Sequence, residues 1–350
     1  MMGRGKMEAI CYTALVTPFR NGEVDYEGLR ALVDFQIQNG ISGILAVGTT
    51  GESPALSWKE HLDVVAFIAG LTKSKCGCIA GTGSNNTQEA LEASAHAVKA
   101  GADALLLVDP YYNGPSSLEI RREYVEPIAE AFPQTTIIPY IIPGRTGTQL
   151  LPEDLALAYQ RFPNVSTVKE ATGNLENMRK TRACCGPDFR ILSGDDALTF
   201  EMMSDGRILA SGVISVMTNI VPGPIVSMVK YAAEGNQEKA LALKKALDPL
   251  FNLVTVKTME QTPFGDVVFR ARNPLAIKAM MSILGMPSGG CRRPMGKMTV
   301  KALRIAFDSM KQVFDNHPEF FAPIESAFQV NVAERLASFE RWQHLCYETY

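Results

Sequence analysis

Short runs rich in apolar and β-branched residues recur along the first two thirds of the chain. Each is followed by a segment whose apolar residues return at helical spacing. The runs lie at residues 9–18, 41–47, 78–83, 104–110, 136–142, 165–172, 189–193 and 208–216. Apolar runs of this length, punctuated by Gly or Pro, predict strands covered on both faces. Helices are predicted after Asp25, which can cap the first of them, and over 57–71, 87–100, 117–132, 152–161 and 175–184, with another after Asp196. Eight such strands alternating with helices predict an α/β fold, a (β/α)8 TIM barrel. A doubly wound sheet is the structural alternative. It ranks lower because it usually closes with fewer strands and no Gly-x-Gly-x-x-Gly opens a helix.

From about Val221 the strands stop. Residues 226–233, 237–250, 275–284 and 299–314 read as helices, and 258–273, with its Pro263-Phe-Gly265, as a less regular segment. The chain thus divides into a barrel over 1–220 and a C-terminal helical region over 221–350, with an extended tail from about 315. In that tail Val332, Leu336, Phe339 and Trp342 share one helical face, which predicts a terminal helix packed on the body or on a partner subunit.

One strand carries a lysine. In 165–172, alternate residues share a face, so Val165, Thr167, Lys169 and Ala171 point one way and Ser166, Val168 and Glu170 the other. A lysine among small and apolar neighbours near a strand's C-terminal end is either paired with a carboxylate or an amine of lowered pKa able to attack a carbonyl. The stretch alone leaves both open.

Composition narrows the class. Hydrophobic residues make up 46% and charged residues 20%, and the net charge is −3 with no basic block, so nothing points to nucleic acid. No stretch approaches the roughly 20 apolar residues that span a membrane. Residues 1–8 read as neither a secretory signal nor a transit peptide, and a soluble, cytoplasmic protein is expected. The seven cysteines and four histidines show no metal-ligand spacing, so neither zinc nor a disulfide framework is expected.

In a (β/α)8 barrel the C-terminal strand ends build the site. Here they gather Thr49, Thr50, Tyr111, Tyr112, Tyr140, Arg145, Lys169, Gly194 and Ile214. A buried amine among them can form an imine with a 2-oxo acid, and the adjacent carbon then becomes an enamine nucleophile. Such a route needs hydroxyls to shuttle protons. Tyr140 lies on the preceding strand beside Lys169, and Thr49 and Tyr112 can extend the relay. The Gly48-Thr-Thr-Gly51 turn offers N–H groups and hydroxyls to a carboxylate, and Arg145 offers a fork to a second one. Neither a metal nor a nicotinamide is implied, and no cofactor is expected.

Seven blocks in series resemble the dihydrodipicolinate synthase family of pyruvate-dependent class I aldolases: Gly48-Thr-Thr-Gly-Glu-Ser53, Ala80-Gly-Thr-Gly83, Pro110-Tyr-Tyr-Asn113, Tyr140-x-x-Pro-x-Arg-Thr-Gly147, Lys169-Glu-Ala-Thr-Gly-Asn174, Ser193-Gly-Asp-Asp196 and Gly212-Val-Ile-Ser-Val216. They fall in order, and the resemblance covers about residues 8–310. The resemblance implies condensation of pyruvate with L-aspartate 4-semialdehyde in lysine biosynthesis. It casts Lys169 as the Schiff-base lysine, Tyr140 as proton donor and acceptor, and Thr49 and Tyr112 as the relay, with Tyr112 reaching into a neighbouring subunit. It makes Thr50 and the Ile214 backbone pyruvate contacts, Arg145 the anchor of the aldehyde's carboxylate, and Gly194 a glycine at the site edge. It also implies a homo-oligomer, a dimer or dimer of dimers. Ser53, Pro54, Trp58, His61, Asn85, Glu89 and Tyr111 match a feedback site for L-lysine at the dimer interface, and Trp58 follows the plant-type, feedback-sensitive pattern.

Three features depart from that pattern. Ile141 replaces the asparagine that usually follows the tyrosine, which bears on the second substrate. The 258–272 segment is longer than usual, and the tail runs past the usual end. Another pyruvate-linked lyase, acting on N-acetylneuraminate or a keto-deoxy sugar acid, is the alternative function. Arg145 and the Tyr111-Tyr112 pair argue against it. A catalytically inactive metabolite-binding barrel is a further alternative, against which Lys169, Tyr140, Thr49 and Tyr112 all stand.

Overall fold

A computed structural model describes residues 9–350; the reading of residues 1–8 lies outside them. Eight strands, β1 (Ile10–Ala14), β2 (Gly43–Ala46), β3 (Gly77–Gly81), β4 (Ala104–Val108), β5 (Thr136–Ile141), β6 (Thr167–Glu170), β7 (Arg190–Ser193) and β8 (Gly212–Ser215), pair in parallel and close into a barrel. Helices follow the strands on the outside. The helices at Thr87–Ala100 and Pro152–Arg161 span the residues the periodicity predicts. Asp25 caps the Tyr26–Gln38 helix as expected, accepting from the Gly28 N–H at 3.0 Å. The strands are shorter than their apolar runs, because each run continues into the turn that leaves the sheet.

Strand parity sorts the core into two shells. Inward residues, including Ala14, Leu45, Ile79, Leu106, Ile138, Leu192 and Ile214, fill the barrel with Tyr140. Outward residues such as Ile137, Ile141, Val168 and Ile191 pack against the helices. Val165 precedes β6 and belongs to the outer shell, not to the face of Lys169. At the other end Tyr12 plugs the barrel. A Cβ at Gly43 would stand 2.2 Å from the Tyr12 ring and one at Gly77 2.9 Å from its hydroxyl, so those strands need glycine there.

The C-terminal region is not purely helical. Residues 255–272 form a β-hairpin, β9 (Thr255–Thr262) antiparallel to β10 (Gly265–Arg272), where an irregular segment was expected. The terminal helix is also corrected. Val332–Arg335 is a single turn, Ser338 is extended, and Phe339–Leu345 is a 3-10 turn. The docking of that segment is nonetheless as expected: Val332, Leu336 and Phe339 are buried. The tail returns to the body, where Arg335 donates to the Ser282 and Ile283 carbonyls and the Phe328 ring meets Phe35 of the first barrel helix at 5.3 Å. Among the described residues no helix is long and apolar enough to cross a membrane.

The helix Leu275–Leu284 fastens this region to the barrel. Its Lys278 ammonium, 0% exposed, donates to Glu52 Oε1 at 2.6 Å and to the Thr17 carbonyl at 2.9 Å. Glu52 Oε2 accepts from the Arg292 N–H at 2.8 Å. Removing one partner of a buried pair strands the other charge without water. Lys278→Met is therefore expected to lower stability by about 3–5 kcal/mol in denaturant titration. Lys278→Met with Glu52→Gln should recover much of that loss, and equal midpoints for the single and double variants would refute the pairing.

Candidate active site

Lys169 and Tyr140 are register partners on β6 and β5, and both face the barrel interior. The Lys169 side chain is only 4% exposed, and its Nζ lies 4.2 Å from the centroid of the Tyr140 ring. No carboxylate lies within ion-pairing distance of it among the described residues; the paired-lysine reading has no partner here. Burial pushes the Lys169 ammonium down to about 7, with the Asp196 carboxylate drawing it back up and the Arg145 cation pressing it further down. About half of the amine is then free near neutral pH.

The barrel wall makes room for this side chain at one glycine. A Cβ on Gly194 would stand 3.2 Å from Lys169 Cε and 2.8 Å from Ala171 Cβ. Gly194 thus borders the path of the lysine itself, at a strand end held by its N–H to the Glu170 carbonyl at 2.7 Å. Tyr140 is buried, and desolvation raises its pKa, keeping the phenol protonated; Arg145 and a hydrogen bond with Thr49 oppose that rise.

Above this floor opens a cavity of about 410 Å3 whose walls include Thr49, Tyr140, Ile142, Arg145 and Thr146. Arg145 stands on the short helix Pro143–Thr146 directly after β5, and its Nη2 donates to the Asn273 carbonyl at 2.9 Å. Among the described residues it forms no surface salt bridge. Thr50 is buried beside it, its hydroxyl accepting from Asn273 Nδ2 at 2.9 Å. Ile214 lines the barrel interior on β8. The fold therefore gathers Lys169, Tyr140, Thr49, Thr50, Arg145, Gly194 and Ile214 at one end of the barrel.

Tyr112 is the exception. It is 85% exposed and lies outside the cavity, so within one chain it extends no relay from Thr49. Its N–H and that of Tyr111 both donate to Asn85 Oδ1, at 3.1 and 2.7 Å. Ile141 also has a different place from the one its sequence position implied. It pairs with Glu170 on the outer side of the sheet and is buried among the helices, so it does not touch the cavity.

The same cavity continues to Ser53, Pro54, Trp58, His61, Asn85, Glu89 and Tyr111. All seven positions matched to an effector site thus share one hollow with Thr49, Tyr140 and Arg145. His61 is 3% exposed; burial pushes it down to about 4, with a backbone hydrogen bond at Gly81 opposing the shift, so it is neutral. Glu89 accepts from the Ser84 hydroxyl at 2.5 Å.

Two residues at this end of the barrel had no role in the sequence reading. Asp196 is buried, accepts from the Val216 and Met217 N–H groups at 3.0 and 3.1 Å, and is pushed up to about 6 by desolvation. An acidic pair directly after an apolar strand was its available signal. Asn273 directly follows the β9–β10 hairpin, and nothing local in the sequence marks it.

The model of the dihydrodipicolinate synthetase family matches residues 8–312. The chain belongs to that family. A 4-hydroxy-tetrahydrodipicolinate synthase of Methanococcus vannielii is 40% identical over 287 residues, 82% of this chain and 92% of that protein. Among solved family structures, that of Cyanidioschyzon merolae with lysine bound superposes with a TM-score of 0.79 at 34% identity, covering 89% of this chain and 99% of that one. That of Acinetobacter baumannii, complexed with pyruvate, superposes with a TM-score of 0.78 at 31% identity, covering 88% and 99%.

Proposed function

We propose that the chain condenses pyruvate with L-aspartate 4-semialdehyde through a Schiff base on Lys169, giving 4-hydroxy-tetrahydrodipicolinate. The observation that carries this reading is a buried lysine, without a carboxylate partner among the described residues, lying on the face of a buried tyrosine.

The neutral amine attacks the pyruvate carbonyl carbon. Tyr140, protonated in its desolvated position, gives a proton to the departing hydroxyl, and water leaves as the imine forms. Loss of a methyl proton gives the enamine, with Tyr140 and Thr49 passing protons between the reacting carbon and the cavity. The enamine carbon bonds to the aldehyde carbon, whose oxygen takes up a proton. The amino group of the semialdehyde then attacks the imine carbon, closes the ring and releases Lys169. Thr50 holds the pyruvate carboxylate, the Ile214 backbone makes a further pyruvate contact, and Arg145 takes the carboxylate of the aldehyde by a two-pronged contact. Tyr112, held outward by Asn85, serves a neighbouring subunit of a dimer or dimer of dimers.

Incubation with pyruvate and borohydride should leave a reduced adduct on Lys169, and addition of the semialdehyde should give turnover. An adduct without turnover would point to a sugar-acid aldehyde partner instead. Its absence would sink the Schiff-base reading.

L-Lysine is the proposed effector. Glu89 suits its ammonium groups, and the Asn85 amide its carboxylate, in the half of the cavity bordered by Trp58 and the neutral His61. Titration of lysine into a steady-state assay is expected to depress the rate; an unchanged rate at millimolar lysine would remove this role.

A further inference from the structure

The turn that carries Thr49 and Thr50 is held from the C-terminal region at two buried points. One is the Lys278–Glu52 pair. The other is Asn273, which directly follows β10 and is 6% exposed. All but one of its polar groups are engaged. Its N–H donates to the Val254 carbonyl at 3.0 Å. Its side-chain Nδ2 donates to Thr50 Oγ1 at 2.9 Å, and its carbonyl accepts from Arg145 Nη2 at 2.9 Å. The neighbouring Arg272 donates to the Gly144 carbonyl at 3.2 Å, bracing the same short helix. Asn273 Oδ1 is buried with no hydrogen-bond partner among the described residues.

A hydroxyl has one proton and two lone pairs. The Asn273 amide occupies a lone pair of Thr50, and a donor cannot receive the Thr50 proton. That proton is left for an acceptor on the other side, where a carboxylate would lie. The same residue's backbone oxygen fixes one nitrogen of the Arg145 fork, which limits where the rest of the guanidinium can reach.

We propose that Asn273 is a positioning residue for the condensation, holding Thr50 as a hydrogen-bond donor toward the pyruvate carboxylate and setting the reach of Arg145 toward the second carboxylate. This rests on the assignment of Thr50 and Arg145 given under the proposed function. It also gives the C-terminal region a part in substrate recognition, since Asn273 lies outside the barrel sequence.

The test reads the pyruvate concentration that gives half-maximal borohydride trapping on Lys169. Asn273→Asp is nearly isosteric and keeps the backbone carbonyl. Its side chain turns from donor to acceptor, takes the Thr50 proton and places a negative charge near the substrate carboxylate. Half-saturation should rise about 10- to 100-fold while trapping at saturating pyruvate stays within about threefold of the parent. Asn273→Leu removes the donor without adding a charge or a new acceptor and should raise half-saturation about fivefold. Added to Thr50→Val it should change almost nothing, because it acts through Thr50. Parent-like half-saturation in Asn273→Asp would overturn the proposal, as would effects of Asn273→Leu and Thr50→Val that simply multiply. Should Asn273→Leu fail to fold, Asn273→Asp alone decides. If Thr50→Val leaves half-saturation unchanged, or the parent traps no pyruvate, it is the assignment of Thr50 or Lys169 that fails.

Discussion

Lys169→Arg is expected to abolish both the trapped pyruvate adduct and turnover, a loss of about 10⁴-fold or more that reaches the assay floor. Arginine keeps a long side chain that can carry the same positive charge, but a guanidinium stays protonated and has no free electron pair to attack a carbonyl. Charge at the site is therefore not what is tested; nucleophilicity is. The lowered pKa adds a pH profile with a definite sign. The reactive form is the neutral amine, so the initial rate of adduct formation should rise about tenfold per pH unit below about 7 and level off above it. A rate still climbing toward pH 10 would mean an amine of ordinary pKa, and the burial argument would be wrong. A trapped adduct in Lys169→Arg would place the nucleophile elsewhere.

What the sequence revealed of this arrangement depended on strand parity and register. Parity put Lys169 and Ala171 on the inner face, and the register brings Tyr140 directly opposite Lys169. The eight barrel strands were legible because burial on both faces favours runs rich in apolar and β-branched residues, and there were eight of them alternating with helices. The β9–β10 hairpin was not, because it carries little of that signal. Lys257, Gln261, Phe264 and Asp266 are all exposed, and Val256, Glu260 and Ala271 are its only buried residues. Its one clear mark was the Pro263-Phe-Gly265 turn between two β-rich stretches.

The tail misled in the opposite way. Val332, Leu336, Phe339 and Trp342 fit a helix by spacing, yet Ser338 breaks the backbone at φ −146°, and the apolar side chains dock without a continuous helix. Spacing foretold burial correctly and conformation wrongly. Ile141 shows the limit of comparing single positions. Adjacent to the tyrosine in sequence, it points to the other side of the sheet, so its change from asparagine alters packing among the helices and leaves the cavity wall as it was. Asn273 was illegible for a different reason. Its importance comes from meeting Thr50 and Arg145 across 223 and 128 residues, and no local pattern encodes such a meeting.

Tyr140→Phe should be the second largest effect, and it separates the ring from the hydroxyl. The ring supports the Lys169 ammonium at 4.2 Å, and phenylalanine keeps that contact and the packing of the barrel interior. What disappears is the proton carrier. Proton transfer by a positioned group contributes about 10²–10⁴-fold, so kcat should fall by that factor. The KM for pyruvate should shift only a few fold, because the carboxylate contacts proposed for Thr50 do not involve the phenol. The adduct should still form on Lys169, more slowly, since dehydration of the first addition product also needs a proton. Thr49→Val should act on the same step through its hydrogen bond with Tyr140. In the Tyr140→Phe background, where that bond no longer exists, Thr49→Val should add little. A Tyr140→Phe variant with parent-like kcat would move the proton chemistry to another hydroxyl. A variant that lost pyruvate affinity while keeping kcat would mean that the phenol binds substrate instead of moving protons.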